Sequence, residues 1–161
     1  SSCGGAHIAK TPFFTDDELR DQHDSIMAVS NELRIAVGDV STPKPVSAIR
    51  WRLARLLLAH LAIEDGHFYP SMLCHSDRAA QEKADRFQKE MGKLSSAFSQ
   101  YMAAWTDVQI GKDWPKFCTT TQDILAALER RVAQENAQLY PLAPPGWNIY
   151  SAAPPLLCPA I

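Results

Sequence analysis

Three features are missing from this 161-residue sequence: a long apolar run, an excess of charge of one sign, and closely spaced cysteines. Its most apolar stretch, residues 53–63, is interrupted by Arg55 and His60 and is shorter than the roughly 20 residues that a membrane span needs. The 16 basic and 18 acidic residues are scattered, so no basic surface for nucleic acid is indicated. We therefore expect neither a membrane nor nucleic acid as a partner.

The cysteines form no CxxC pair, and this spacing indicates neither a zinc site nor a compact disulfide framework. We expect buried or unreactive thiols at all of these positions: Cys3, Cys74, Cys118 and Cys158. No basic-then-apolar leader opens the chain, so the expected location is cytoplasmic. The length and the 46% hydrophobic content suit one domain with a sizeable core.

Apolar residues recur at helical spacing in four segments, each with a start or stop pattern at its ends. Thr15 and Glu18 form a capping box, Ser76 can cap the third segment, and Asp113 can cap the fourth. A loop through Gly111 precedes the fourth segment. Short connections between long amphipathic helices predict an all-α, up-down-up-down four-helix bundle. The predicted helices are 15–38, 46–70, 76–105 and 113–139.

The predicted domain organisation has three parts: a leader at 1–14, the bundle at 15–142 and a proline-rich tail at 143–161. The tail lacks periodicity, so it should be irregular. It nevertheless carries several apolar side chains. We expect these to pack on the bundle or on a partner chain, which makes a homodimer plausible: Trp147, Ile149, Tyr150, Leu156 and Leu157.

The second and fourth helices repeat one pattern. In residues 60–70 and 131–141, a glutamate follows four residues after the first position, and a Tyr-Pro pair ends the run. A weaker alignment of the first and third helices places His23 over Met91. Such duplication would set one half of the bundle across a pseudo-twofold axis from the other. The first half would contribute His23, His60 and Glu64, and the second half Met91, Arg131 and Glu135.

Two interpretations are open for the polar residues on these apolar faces. Positions i and i+4 share a helix face, so His60 and Glu64 can point at one centre. Burying them has a desolvation cost that a transition metal would offset. The alternative is a metal-free core, in which the histidine is neutral and hydrogen bonds hold the carboxylate. For His23, His60, Glu64 and Glu135 together, neither interpretation is favoured.

These residues resemble the hemerythrin HHE cation-binding domain over about residues 15–142. The resemblance rests on His23, on HLAIEDGHFYP at 60–70 and on RVAQENAQLYPL at 131–142. In that family, histidines from each helix and carboxylates bridging from the second and fourth helices hold a non-haem di-iron centre. The resemblance implies His23 and His60 as terminal ligands of one metal, with Glu64 and Glu135 at the bridging positions.

Two departures remove the nitrogen ligands of the second metal. Met91 and Arg131 stand where histidines of the third and fourth helices are expected, and a guanidinium has no lone pair to give. We therefore expect an incomplete di-iron site that does not carry oxygen. Arg131 is predicted to place its cation beside Glu135 and Glu64, replacing the charge of the second metal. Glu90 is expected on the exposed face.

Two functions from different classes remain. The first is a mononuclear metal site holding iron, manganese or zinc in a sensing, storage or regulatory role. The alternative is a metal-free protein-interaction module in which Arg131 replaces the metal charge. An enzyme ranks last, because no acid–base pair, nucleophile or phosphate loop is present. The expected cofactor is one iron or another divalent transition metal, or no metal under the alternative. The expected partners are the metal ion and a second copy or another protein.

Overall fold

The computed structural model describes residues 14–151, and these residues are almost entirely helical. The described part of the chain contains no strand, and the predicted all-α fold is confirmed. The α-helices are α1 Asp16–Ala36, α2 Ser47–Ile63, α3 Tyr69–Leu73, α4 Arg78–Ala104, α5 Asp107–Lys112 and α6 Trp114–Gln134. A π-helical turn, Glu64–Phe68, joins α2 to α3, and a second one, Glu135–Leu139, follows α6 and leads into a 3-10 turn, Tyr140–Leu142.

Four long helices form the predicted bundle, in which α1 packs against α2 and α6, and α4 packs against α6. The apolar side chains divide into two buried clusters. The larger cluster includes Ile26, Leu57 and Val132, and the smaller one includes Leu19 and Phe68. Along each contributing helix, the candidate metal-binding residues fall between members of these two clusters.

The helix starts mostly follow the predicted capping residues. The Thr15 hydroxyl accepts the Asp17 N–H, and the Glu18 carboxylate accepts the Thr15 N–H at 2.6 Å, which confirms the capping box. The predicted cap at Ser76 is wrong by one residue. Asp77 caps α4 instead, because its carboxylate accepts the Ala79 N–H at 3.0 Å. A carboxylate one residue later meets the free N–H groups of the first turn equally well.

Two helical boundaries differ from the prediction. The segment through Gly111 is helix α5 rather than a loop, and the Thr106 hydroxyl caps it by accepting the Gln109 N–H at 3.2 Å. The second helix also continues past Pro70 to Leu73. The π-helical turn changes the hydrogen-bond register, so Pro70 falls in the first turn of α3, where a missing N–H costs little.

The two π-helical turns repeat each other. Each begins at a glutamate and ends immediately before a Tyr-Pro pair, and the tyrosine N–H bonds the carbonyl of that glutamate five residues earlier. Glu64 is paired with Tyr69 in the first turn, and Glu135 with Tyr140 in the second. The repeat visible in the sequence is therefore also a repeat of an uncommon backbone geometry, of a kind often found at functional sites.

The described part of the tail packs on the bundle. Trp147 is buried, its indole N–H donates to the Ser71 hydroxyl at 2.9 Å, and its ring meets Phe68 edge to face. The Ile149 N–H donates to the Phe14 carbonyl at 3.0 Å, whereas Tyr150 is 74% exposed. Leu156 and Leu157 lie outside the described residues, as does most of the predicted leader.

Of the two cysteines that the structure describes, one departs from the prediction. Cys118 is free and buried, as expected, but Cys74 is disulfide-bonded. The expectation of free thiols is therefore wrong for Cys74, because spacing along the chain does not reveal which thiols the fold brings together. Among the described helices, none has the length and apolar character needed to cross a membrane.

Candidate metal centre

Four buried polar side chains meet at one point inside the bundle. His23 comes from α1, His60 from the last turn of α2, and the two glutamates from the first position of each π-helical turn. One potential ligand atom from each residue lies within 4.8 Å of the corresponding atoms of the other three. The fold thus brings together the four residues singled out from the sequence: His23, His60, Glu64 and Glu135.

The spacing of these atoms matches that of ligands around one metal ion. The two Nε2 atoms of His23 and His60 are 3.0 Å apart, and His23 Nε2 lies 3.1 Å from Glu135 Oε2. His60 Nε2 lies 3.1 Å from Glu64 Oε1. Because metal–ligand bonds of about 2.0–2.2 Å place adjacent ligand atoms roughly 3.0–3.5 Å apart, the cluster needs little adjustment to hold an ion.

Two amide side chains fix the orientation of the imidazoles. His23 Nδ1 donates to Asn136 Oδ1 at 2.8 Å, and His60 Nδ1 donates to Gln22 Oε1 at 2.7 Å. Because each Nδ1 donates its proton outward, a neutral ring presents its Nε2 lone pair to the other ring. Two such lone pairs repel unless a cation, either a metal ion or a proton, lies between them. Outward hydrogen bonds from Nδ1 are the usual support for a metal-binding imidazole.

The Tyr140 hydroxyl lies in the same cluster. It donates to Glu64 Oε1 at 2.6 Å and lies 3.3 Å from Glu135 Oε2. Its oxygen is also 3.1 Å from His23 Nε2 and 3.4 Å from His60 Nε2. The Tyr140 ring stacks on the His23 imidazole with centroids 5.2 Å apart.

The two glutamates titrate in opposite directions. Burial, reinforced by the charge of Glu135, raises the pKa of Glu64 well above its ordinary value. Burial acts on Glu135 as well, but the His23 imidazole, 3.1 Å from Oε2, and the charge of Arg131 hold the pKa of Glu135 below its ordinary value. Burial lowers the pKa of His60. Glu64 Oε2 is buried without a hydrogen-bond partner. A divalent cation fits this donor set, because it would satisfy that orphaned oxygen and both Nε2 lone pairs.

Arg131 supplies the positive charge on the other side of Glu135. Its Nε donates to Glu135 Oε1 at 2.6 Å, and its guanidinium also donates to the Phe87 carbonyl. Its Nη2 donates to the Tyr69 hydroxyl at 3.3 Å, and its Nη1 lies 3.3 Å from Glu90 Oε2. Burial alone would lower the pKa of Arg131, but the Glu135 carboxylate raises it.

A comparison with known protein families identifies the family of this chain. The family model of the hemerythrin HHE cation binding domain matches residues 15–143. The chain belongs to this family. No curated protein and no solved structure matches the chain significantly.

The second half of this hemerythrin domain lacks imidazoles, as the sequence predicted. Met91 is buried in the larger apolar cluster, and Arg131, also buried, is the first residue of the second repeat. The predicted contact of Arg131 with Glu64 is wrong. Within the described chain Arg131 forms ion pairs only with Glu135 and Glu90, and Glu64 Oε1 instead accepts the Tyr140 hydroxyl. The Glu90 side chain is 61% exposed, as expected, although it still reaches Arg131.

The remaining histidines of the hemerythrin domain are not part of the cluster. His67 and His75 are half-buried rather than fully exposed, and neither joins the four-residue group. His7 lies outside the described residues. The sequence analysis missed three residues that contact the cluster: Tyr140, Gln22 and Asn136. The Tyr-Pro repeat contained Tyr140, but no pattern in the sequence marked the two amides, which adjoin His23 and Glu135 in the chain.

Proposed function

We propose that this hemerythrin domain binds one iron, or another divalent transition metal, and acts as a metal-sensing or regulatory module rather than an oxygen carrier. His23, His60 and Glu64 would hold the ion, with Glu135 as the fourth ligand. The observation that carries the proposal is the pair of Nε2 atoms 3.0 Å apart, both with protonated Nδ1 atoms facing outward. Two imidazoles with carboxylates suit borderline divalent metals.

The origin of the ligands supports a sensing role. They lie on α1, on α2 and the π-helical turn that continues it, and at the start of the second π-helical turn, so one ion would connect three segments of the bundle. A bound metal would supply a concentrated positive charge that neutralises the buried carboxylates. Because such an ion binds the folded state alone, its concentration would set the stability of the bundle.

The location and assembly of the protein remain proposals. A cytoplasmic location is the expectation from the sequence. The disulfide at Cys74 argues against that location, because disulfides persist mainly in oxidising compartments. A homodimer or a protein partner is proposed from the apolar residues of the tail.

Arg131 supports a second candidate function, a metal-free interaction module. Its guanidinium bonds Glu135 at 2.6 Å and its carbon lies 4.4 Å from the centroid of the Phe87 ring. This cation neutralises Glu135 without metal. Under this alternative Glu64 keeps a proton, and the fold serves only as a scaffold for a partner.

Metal analysis of untagged protein separates the two functions. We expect about one transition metal per chain after purification without chelator, and loss of that metal in His60→Ala. His67→Ala is the matched control, since His67 is a histidine of the next helical segment outside the cluster, and it should retain the metal. A metal-free wild type that also fails to bind added iron, manganese or zinc would favour the interaction module. Two metals per chain would contradict both candidates.

A further inference from the structure

We propose that Tyr140 is a fifth metal ligand, through its phenolic oxygen, and that it makes the site selective for ferric iron. This inference rests on the proposed metal-binding function and adds a residue to it. Binding of the ion would release the phenol proton of Tyr140 to solvent. The resulting phenolate oxygen is a hard, anionic donor, and such donors favour Fe³⁺ over softer divalent ions. Tyrosine is also a known axial ligand of haem iron.

The hydrogen bonds around Tyr140 do not account for its position. Its oxygen lies 2.6–3.4 Å from one atom of each of the four cluster residues. A phenol has a single proton to donate, and its shortest contact places that proton on the Glu64 side. That one proton cannot also serve the contacts with both Nε2 atoms and with Glu135. Five potential donor atoms converging on one point match the coordination shell of a cation.

The internal repeat supplies an independent argument. Tyr69 is the counterpart of Tyr140, and its hydroxyl lies beside Arg131, which heads the opposite repeat. Tyr140 in turn lies beside His60, which heads the first repeat. Each tyrosine therefore crosses to the other half of the bundle. In the half without histidines, the Tyr69 oxygen contacts the Arg131 guanidinium. By the same geometry, the Tyr140 oxygen is placed to contact a metal cation bound by His23 and His60.

Burial removes the simplest alternative, in which Tyr140 is a surface residue that touches the cluster by chance. Tyr140 is 1% exposed, and its ring lies between the His23 imidazole and the Phe68 ring. Packing on both sides fixes where the hydroxyl points. A side chain held in this way is preorganised for a ligand at its tip.

Absorption spectroscopy of the ferric protein tests the inference. The full chain loaded with Fe³⁺ should show a visible phenolate-to-iron charge-transfer band, and the zinc-loaded protein should not. Tyr140→Phe should lose the band, whereas Tyr69→Phe, the matched variant of the repeat, should keep it. Resonance Raman excitation within the band should enhance tyrosine ring modes, and these modes should shift when the protein carries ring-deuterated tyrosine.

Metal content, measured on every sample, keeps the outcomes distinct. If the wild type binds iron but shows no such band, the Tyr140 inference is wrong and the proposed function stands. A band that persists in Tyr140→Phe or disappears in Tyr69→Phe also overturns the inference. A wild type that binds no metal overturns both. If Tyr140→Phe does not fold, as judged by its helical circular dichroism, the isotope shift in the wild type together with Tyr69→Phe decides.

Discussion

Arg131 brings a full positive charge into the core at the position where the first repeat has a histidine. Removing a guanidinium from water is costly, and the cost is offset here by Glu135, by the Phe87 carbonyl and by the face of the Phe87 ring. The carboxylate and the cation depend on one another, because either of them alone would be an uncompensated buried charge.

Arg131→Ala should therefore lower the free energy of unfolding by about 3–5 kcal/mol, since it leaves Glu135 buried without its partner. Urea unfolding followed by circular dichroism would measure the change. Arg130→Ala, one residue earlier and exposed, is the control and should change stability by about 0.5 kcal/mol or less. A neutral Arg131→Ala would show that the ion pair does not support the fold.

Arg131→His tests whether the second half can regain a ligand. The repeat makes residue 131 the counterpart of His60, so the new imidazole would sit near Glu135. Added metal should raise the melting temperature of this variant above that of Arg131→Ala, because the ion binds only the folded state. A chelator should abolish the difference. Equal melting temperatures with and without metal would argue against a recoverable second site.

The sequence predicted some of these residue contacts and missed others for a physical reason. The Arg131–Glu135 pair follows from i,i+4 spacing within one helix, and it is present at 2.6 Å. The contacts of Arg131 with Phe87 and of Tyr140 with Glu64 join residues 44 and 76 positions apart. Such contacts depend on how the helices approach one another, which spacing along a single helix does not specify.

At the scale of elements, each π-helical turn takes up one extra residue without changing which way the following helix faces. A π-helical turn holds one more residue than an α-helical turn, so each of its residues rotates the chain by less than the ~100° of an α-helix. Phe68 and Tyr69, which end the first turn and begin α3, are both 0% exposed. The wider turn therefore keeps these aromatic side chains on the buried face.

Deleting Gly66 should convert the turn to an α-helical one and leave Phe68 and Tyr69 on the buried face, because it removes the residue that the wider turn takes up. In urea unfolding we therefore expect a loss smaller than the roughly 3–5 kcal/mol that exposing one large aromatic side chain costs. Gly66→Ala keeps the wider turn and is the control. A Cβ at this exposed position meets no atom within 4 Å, so it should stabilise the helix by roughly 0.5–1 kcal/mol. A deletion that lowers stability by about 3–5 kcal/mol or more would show that the extra residue is needed to bury these rings.

Hydrophobic periodicity predicted the four long helices, because their buried stripes are continuous over many turns. It did not predict α5, which is six residues long and buries only Ile110. Nor did it predict the π-helical turns, because one extra residue changes the phase of the stripe only locally. Pro70 was interpreted as a stop for the same reason, since its tolerance depends on that local register.

At the scale of the whole molecule, the described part of the tail packs through Trp147 on the smaller apolar cluster. Trp147→Ala should lower stability by about 3–5 kcal/mol, because Trp147 is 2% exposed and its indole bonds Ser71. Trp51→Ala is the control, since Trp51 is 58% exposed, and it should change stability by about 0.5 kcal/mol or less. Similar losses in both variants would mean that the tail does not contribute to the core.

One half of the bundle has the two cluster histidines and the other half has none, and this division predicts how the protein behaves toward oxygen. Reversible oxygen binding in hemerythrins resembles a two-electron transfer from a pair of irons, and Met91 and Arg131 leave the second half without imidazoles. Ferrous-loaded protein should therefore show no absorption that appears with oxygen and disappears on degassing.

Reversibility is the decisive criterion in that experiment, because oxygen can also oxidise a single iron. Ferric iron beside Tyr140 would then give a phenolate band that persists after oxygen is removed and needs no oxygen when Fe³⁺ is added directly. The double variant Met91→His with Arg131→His is the informative comparison, since it returns both missing imidazoles to the second half. A reversible, oxygen-dependent band in the wild type would mean that other residues replace the lost histidines, and that the second half still holds a metal.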